Sequence, residues 1–127
     1  MAEKIKLVQG DTRPQLVLSL TDDTTGDPID VSTATVRMRF RALGSTTVLS
    51  TMTASKIAGR VLEDGTIDLT SPYDTPGVGG RCVISWSAGA LSLDPGDYEG
   101  EIEITFADTT VQTVYDTLKF KLRGQFG

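Results

Sequence analysis

The stretch from Tyr98 to Phe106 alternates without a break. Tyr98, Gly100, Ile102, Ile104 and Phe106 fall on one side of an extended chain, and Glu99, Glu101, Glu103 and Thr105 fall on the other. A helix repeats its apolar face every third or fourth residue and cannot follow this pattern, whereas a half-buried antiparallel strand does. Pro95-Gly96 before it and Ala107-Asp108-Thr109-Thr110 after it supply turn chemistry.

The same two-residue period recurs along the chain. Val36, Met38 and Phe40 alternate with Arg37, Arg39 and Arg41, and Leu118, Phe120 and Leu122 alternate with Lys119, Lys121 and Arg123. Glu3 to Val8, Gln15 to Thr21, Val48 to Ala54, Thr66 to Leu69, Arg81 to Ser87 and Thr110 to Val114 read as further strands, and Pro14 suits a strand start. Ser55 to Leu62 fits either a strand or a helical turn, with Gly59 counting against a stable helix. Ser87 to Asp94 has room for a short turn of helix, and Asp64-Gly65 marks a tight hairpin. About eight short strands joined by turns predict an all-β fold, a single antiparallel β-sandwich domain spanning residues 1–127.

The arginine row of Ala34 to Arg41 and the glutamate row of Tyr98 to Phe106 suggest neighbours. Were the two strands paired, opposite charges would face each other on the exposed side, Arg39 meeting Glu101 among them. Alternatively, one row docks a partner. Two loops stand out. Asp22 to Asp30 gathers four aspartates, the residue type a calcium loop uses, but the spacing is not that of an EF-hand and no glutamate closes it, so a solvated turn is the simpler reading. Ser71 to Gly80 holds two prolines and three glycines and reads as a long exposed loop, either a contact arm or a flexible connector. Trp86, the only tryptophan, reads as a core anchor or, exposed beside Tyr73, as a sugar-binding platform. The candidates for partner contact are Lys4 and Lys6 on the first strand, Arg37, Arg39 and Arg41, the loop residues Tyr73, Pro76 and Gly77, and Phe126 in the tail.

Composition narrows the chemistry. The chain has no histidine, which removes histidine acid–base catalysis, the Ser-His-Asp triad and histidine zinc sites. Cys82 is the only cysteine and lies on an apolar strand face, a small core residue rather than a nucleophile. The glutamates that could work as a carboxylate pair lie in one solvent-facing row with no cleft to separate their acidities. No enzyme, no cofactor and no metal are therefore expected. A net charge of −5 argues against nucleic acid and gives no attraction to anionic lipid, and no apolar run is long enough to cross a bilayer as a helix. The start of the chain lacks a signal-peptide core, so synthesis in the cytoplasm is expected.

Some of this grammar resembles one family. Gly10-Asp11-Thr12 before a leucine-rich strand, then Asp27-Pro28-Ile29-Asp30-Val31-Ser32-Thr33-Ala34-Thr35-Val36, looks like the opening of the N-terminal domain of phage baseplate upper proteins, with their "GDT" and "pIDLtgatV". Asp64-Gly65-Thr66-Ile67, Ile84-Ser85-Trp86 and Pro95-Gly96-Asp97-Tyr98-Glu99-Gly100-Glu101-Ile102 are similar to its second half, where a tryptophan strand precedes "pGxYxxE". The resemblance covers about Ile5 to Leu122 and implies an immunoglobulin-like β-sandwich that serves as a virion structural module. Its partners would be other phage proteins of the tail, baseplate or capsid, and copies of itself. Family members continue into a coiled coil and a receptor-binding region, whereas this chain stops at Gly127. The expectation is thus a small tail or baseplate adaptor, made in the host cytoplasm and carried in the virion. Capsid decoration is the alternative, and a carbohydrate- or cell-surface-binding module is the alternative of another class.

Overall fold

A computed structural model of the chain describes residues 4–22, 24–114 and 117–126. Glu3, Asp23 and Gly127, which fall in the first strand, the aspartate loop and the tail, lie outside the described residues. Eleven short strands form: β1 (Ile5–Val8), β2 (Leu16–Ser19), β3 (Thr35–Ala42), β4 (Ser50–Thr53), β5 (Ser55–Lys56), β6 (Arg60–Val61), β7 (Ile67–Asp68), β8 (Arg81–Ile84), β9 (Gly96–Thr105), β10 (Val111–Thr113) and β11 (Leu118–Arg123). No helix forms among the described residues.

Nine of the strands build two sheets, and β6 and β7 pair as a separate ribbon. The larger runs β1-β11-β9-β3-β4, with β10 also paired to β9, and the smaller runs β2-β8-β5. The chain passes from the larger sheet to the smaller through Ala54, whose amide still donates to Val36 of β3. This order, with sequence neighbours split between the layers, is that of a β-sandwich. One pair departs from the antiparallel expectation, since β1 lies parallel to β11, Ile5 opposite Phe120 and Val8 opposite Arg123. Periodicity states which face a strand buries but not which way its neighbour runs. The strand count also exceeds eight, because the expected ribbon over 55–69 breaks into pieces two residues long around Gly59 and the Asp64-Gly65 turn. The helical alternatives over 55–62 and 87–94 resolve into these short strands and into reverse turns, with Ala90 N–H donating to Ser87 O and Ser92 N–H to Gly89 O.

β9 is the central strand of the larger sheet. β3 pairs along one side of it from Thr105 to Tyr98, while β11 and β10 share the other side. Its inner positions Tyr98, Ile102 and Ile104 are buried, with Val36, Met38 and Phe40 of β3 and Phe120 and Leu122 of β11 beside them. The smaller sheet answers with Leu16, Cys82 and Ile84. Burial pushes the Cys82 thiol up to about 11, so it stays protonated and serves as core.

Four rings join the layers. Phe40 stacks on Tyr98 at 5.2 Å and meets Trp86 and Phe120 edge-on at 5.2 and 5.3 Å, and Trp86 meets Phe120 at 5.6 Å. Trp86 comes from the chain just past β8, is only 3% exposed, and satisfies its indole N–H on Pro14 O at 2.9 Å. Gly100, on the inner side of β9, makes room for this junction: a Cβ there would stand 2.6 Å from Met38 Sδ and 3.1 Å from the Phe120 ring. The Tyr98 hydroxyl reaches back to donate to Asp94 O at 2.5 Å. This is the tyrosine corner of such sandwiches, fixing the turn at Pro95-Gly96 against the core.

Phe40→Ala is expected to cost about 3–5 kcal/mol in a denaturant titration, since it empties the ring junction. Tyr98→Phe keeps the stacking and loses one hydrogen bond to a carbonyl that water can then reach, so about 1 kcal/mol is expected. Equal losses in the two variants would mean that the corner bond, not ring packing, holds the sheets together.

Candidate interaction surfaces

The outer face of the larger sheet carries charge in columns. β9 points Asp97, Glu99, Glu101 and Glu103 outward, between the arginines of β3 on one side and Lys119, Lys121 and Arg123 of β11 on the other. The expected neighbourhood of the arginine and glutamate rows therefore forms, with Arg37 opposite Glu103, Arg39 opposite Glu101 and Arg41 opposite Glu99. The ion pairs lean across this register in one case. Arg39 reaches the diagonal Glu103 at 3.0 Å rather than Glu101, while Arg41 binds Glu99 directly at 2.7 Å.

Glu99 is the anchor of the face. Its side chain is only 8% exposed and is held from both sides, by Arg41 at 2.7 Å and Lys119 at 2.9 Å. The Lys119 ammonium, helped by the Arg41 guanidinium, holds its carboxyl below the usual glutamate range against the opposing effect of burial. Lys4 reaches Asp97 at 3.0 Å in an exposed pair.

The other candidates divide. Lys6 is exposed on β1, opposite Lys121. Phe126 is 91% exposed, with the Arg123 guanidinium over its ring at 5.2 Å. Pro76 is exposed, but Tyr73 is half-buried beneath the Arg60 guanidinium, 4.2 Å from its ring centroid. Gly77 is a correction. It is buried, donates to Ile57 O and accepts from Val31 N–H, and a Cβ would stand 2.8 Å from Ser32 Cα. A backbone packed this tightly against a neighbouring segment offers no surface to a partner. Gly79 and Gly80 are buried as well, and Gly80 O accepts from Leu20 N–H. The Ser71–Gly80 segment is thus an exposed loop over Ser71 to Pro76, apart from half-buried Tyr73, and docked against the fold from Gly77 to Gly80; its glycines serve close packing, which composition alone cannot separate from mobility. With Trp86 in the core, no aromatic platform forms with Tyr73, and the carbohydrate alternative loses its pair of residues.

The aspartates of the loops hold turns. Asp22 accepts from the amides of Thr24 and Thr25, and Asp30 from the amide and hydroxyl of Ser32. Asp64, Asp68 and Asp108 each grip the threonine two residues on in the same two-pronged way. The Thr70 bonds, and then Arg60, bring the Asp68 carboxyl down to about 2. Among the described residues no group of three or more Asp, Glu, Cys or His could hold a metal ion.

Two features escaped the sequence. The β6–β7 hairpin belongs to neither sheet, yet Val61, Leu62, Ile67 and Leu69 on it are all exposed, Leu69 to 58%. The second feature is a groove of about 340 Å³ along the β1–β11 edge, lined by Lys6, Leu7, Val8, Lys121 and Arg123. The apolar pairs Val61-Leu62 and Ile67…Leu69 flanking Asp64-Gly65 are the available signal for the first, but as strand or helical-turn residues they carry no mark of being uncovered. The second needs the parallel β1–β11 pairing, which no local pattern encodes.

Glu99→Gln is expected to lose about 1–3 kcal/mol at neutral pH. Because the folded carboxyl titrates below its ordinary 4.5, its contribution is complete above that pH and disappears as pH falls through the folded value. Stability curves of wild type and variant should therefore converge in acid; a constant gap would exclude the ion pairs as its source. A double-mutant cycle on Arg39 and Glu103 should give a coupling of about 0.2–1 kcal/mol, with none between Arg39 and Glu101.

No protein-family model matches this chain, and no curated protein matches it, so what these surfaces do has to be argued from their residues.

Proposed function

We propose that this protein is a structural component of a bacteriophage particle, a small tail or baseplate adaptor that acts by protein–protein contact rather than by catalysis. The observation that carries this reading is the outward placement of its reactive surface. Four of the rings, Phe40, Trp86, Tyr98 and Phe120, are consumed in the core, while a face of alternating charge columns and an apolar hairpin are left to solvent. Such a molecule is equipped to be gripped by neighbours on more than one side.

The segments that resemble baseplate proteins support the same role from within the fold. Gly10-Asp11-Thr12 lies where the chain crosses from β1 in one sheet to β2 in the other, and Pro95-Gly96-Asp97-Tyr98 forms the tyrosine corner that enters β9. These are positions at which a sandwich sets its layer order, which supports reading the resemblance as one of architecture. The partners are other tail or baseplate proteins and further copies of this chain.

Mass spectrometry of gradient-purified particles from a producing culture should find the chain at a fixed ratio to the major tail protein. Deleting its gene should yield particles with incomplete or detached tails. Recovery of the protein solely from the soluble lysate, with normal particles in the deletion, would refute the assignment.

A further inference from the structure

The β6–β7 hairpin and the β1–β11 groove are complementary in both apolar surface and charge. On the hairpin, Val61 pairs with Ile67, and Leu69 follows two residues on, so these three share one side of the ribbon. Leu62, the next residue, is exposed as well, and Glu63 and Asp64 form the tip. A two-stranded ribbon is marginal by itself in water. This one is fastened at its base, where Arg60 binds Asp68 at 2.9 Å and covers Tyr73, so its apolar side is presented on a firm stem.

The groove is the counterpart. Its wall is almost wholly apolar because the lysine and arginine stems lie along it, leaving their charges at the rim. Among the described residues, Lys6, Lys121 and Arg123 form no ion pair with a carboxylate, in contrast to Lys4, Arg39, Arg41 and Lys119 on the same face. Three cations for which the described residues supply no paired carboxylate, set around an apolar trough, fit an apolar element edged with carboxylates, and this chain carries one.

We propose that copies of this chain join head to tail, the apolar side of the β6–β7 hairpin of one copy seating in the cation-rimmed groove between β1 and β11 of the next. Val61, Ile67 and Leu69 enter the trough while Glu63 meets Lys6 and Lys121. Hairpin and groove are different surfaces, so the contact is heterologous, and a joined pair keeps one free hairpin and one free groove for further growth into a ring or a row. The net charge of −5 opposes association at long range. At physiological salt that repulsion is screened within about 8 Å, and the local attraction between tip and rim survives. The proposal deepens the particle-component reading and rests on it for its setting.

Sedimentation velocity on the purified full-length chain, from micromolar to millimolar concentration, tests the contact. The wild type should sediment faster as concentration rises. Leu69→Asp on the hairpin and Lys6→Glu/Lys121→Glu in the groove should each remain monomeric, with association weakened about tenfold or more. Mixed in equal amounts, the two variants should form a one-to-one dimer, since one retains its groove and the other its hairpin; a symmetric interface would not be rescued this way. Circular dichroism checks folding, and Glu63→Lys, an exposed turn substitution, replaces Leu69→Asp if that variant unfolds. A wild type that stays monomeric throughout, variants that associate as the wild type does, or a mixture without dimer would each overturn the contact. Detection of the chain in purified particles stands apart from all three: a monomer found in particles refutes the self-contact alone, and an assembling chain absent from them refutes the particle role alone.

Discussion

The contact on which everything else depends is the meeting of Phe40, Tyr98 and Phe120 from the larger sheet with Trp86, just past β8 of the smaller. Each ring belongs to a different segment, and Phe40 touches the other three. The junction therefore fixes the order β11-β9-β3 within one layer and the distance to the other layer together. It can form only because Gly100 leaves the middle of β9 bare. A side chain at that position would push Met38 or Phe120 outward, and in a close-packed interior such a shift is transmitted to the neighbouring strands. Once the inner face is settled, strand alternation dictates the outer one: glutamates on β9, arginines on β3, lysines on β11.

That coupling explains which parts were legible in the sequence. Alternation over Val36 to Arg41 and over Tyr98 to Phe106 reports both faces of both strands, and the opposed charges of their outer rows gave a reason to place them side by side. The register that forms, Arg41 opposite Glu99, follows once the apolar faces are aligned. Trp86 and Cys82 were legible as core for the same reason. The tyrosine corner was visible only as a turn, because a bond from Tyr98 back to Asp94 depends on the chain direction entering the strand and not on residue type.

What stayed illegible is what alternation does not encode. The parallel approach of β1 to β11 brings the two ends of the described chain together, and no local pattern registers a partner more than a hundred residues away. Gly77 and its neighbours have the composition of a mobile loop, yet here glycine allows close approach: the backbone of Val31 and Ile57 is bonded to Gly77 where any side chain would intrude. The apolar residues of β6 and β7 carry the same letters as a core strand. Only the topology reveals that no second layer covers them.

Net charge misleads for a related reason. The value of −5 is an average over carboxylates with two different occupations. Those at Asp22, Asp30, Asp64, Asp68 and Asp108 are engaged with amides and hydroxyls of their own turns, so much of the acidity serves the folding of loops. The cations are distributed otherwise. Lysines and arginines crowd the outer face of the larger sheet, where the single column of acids on β9 is already shared among Lys4, Arg39, Arg41 and Lys119. That face is positive on an acidic molecule. An incoming surface responds to the field within a Debye length of the contact, not to the sum over the chain. The total therefore says little about which partner suits this face, and the columns themselves favour an acidic one.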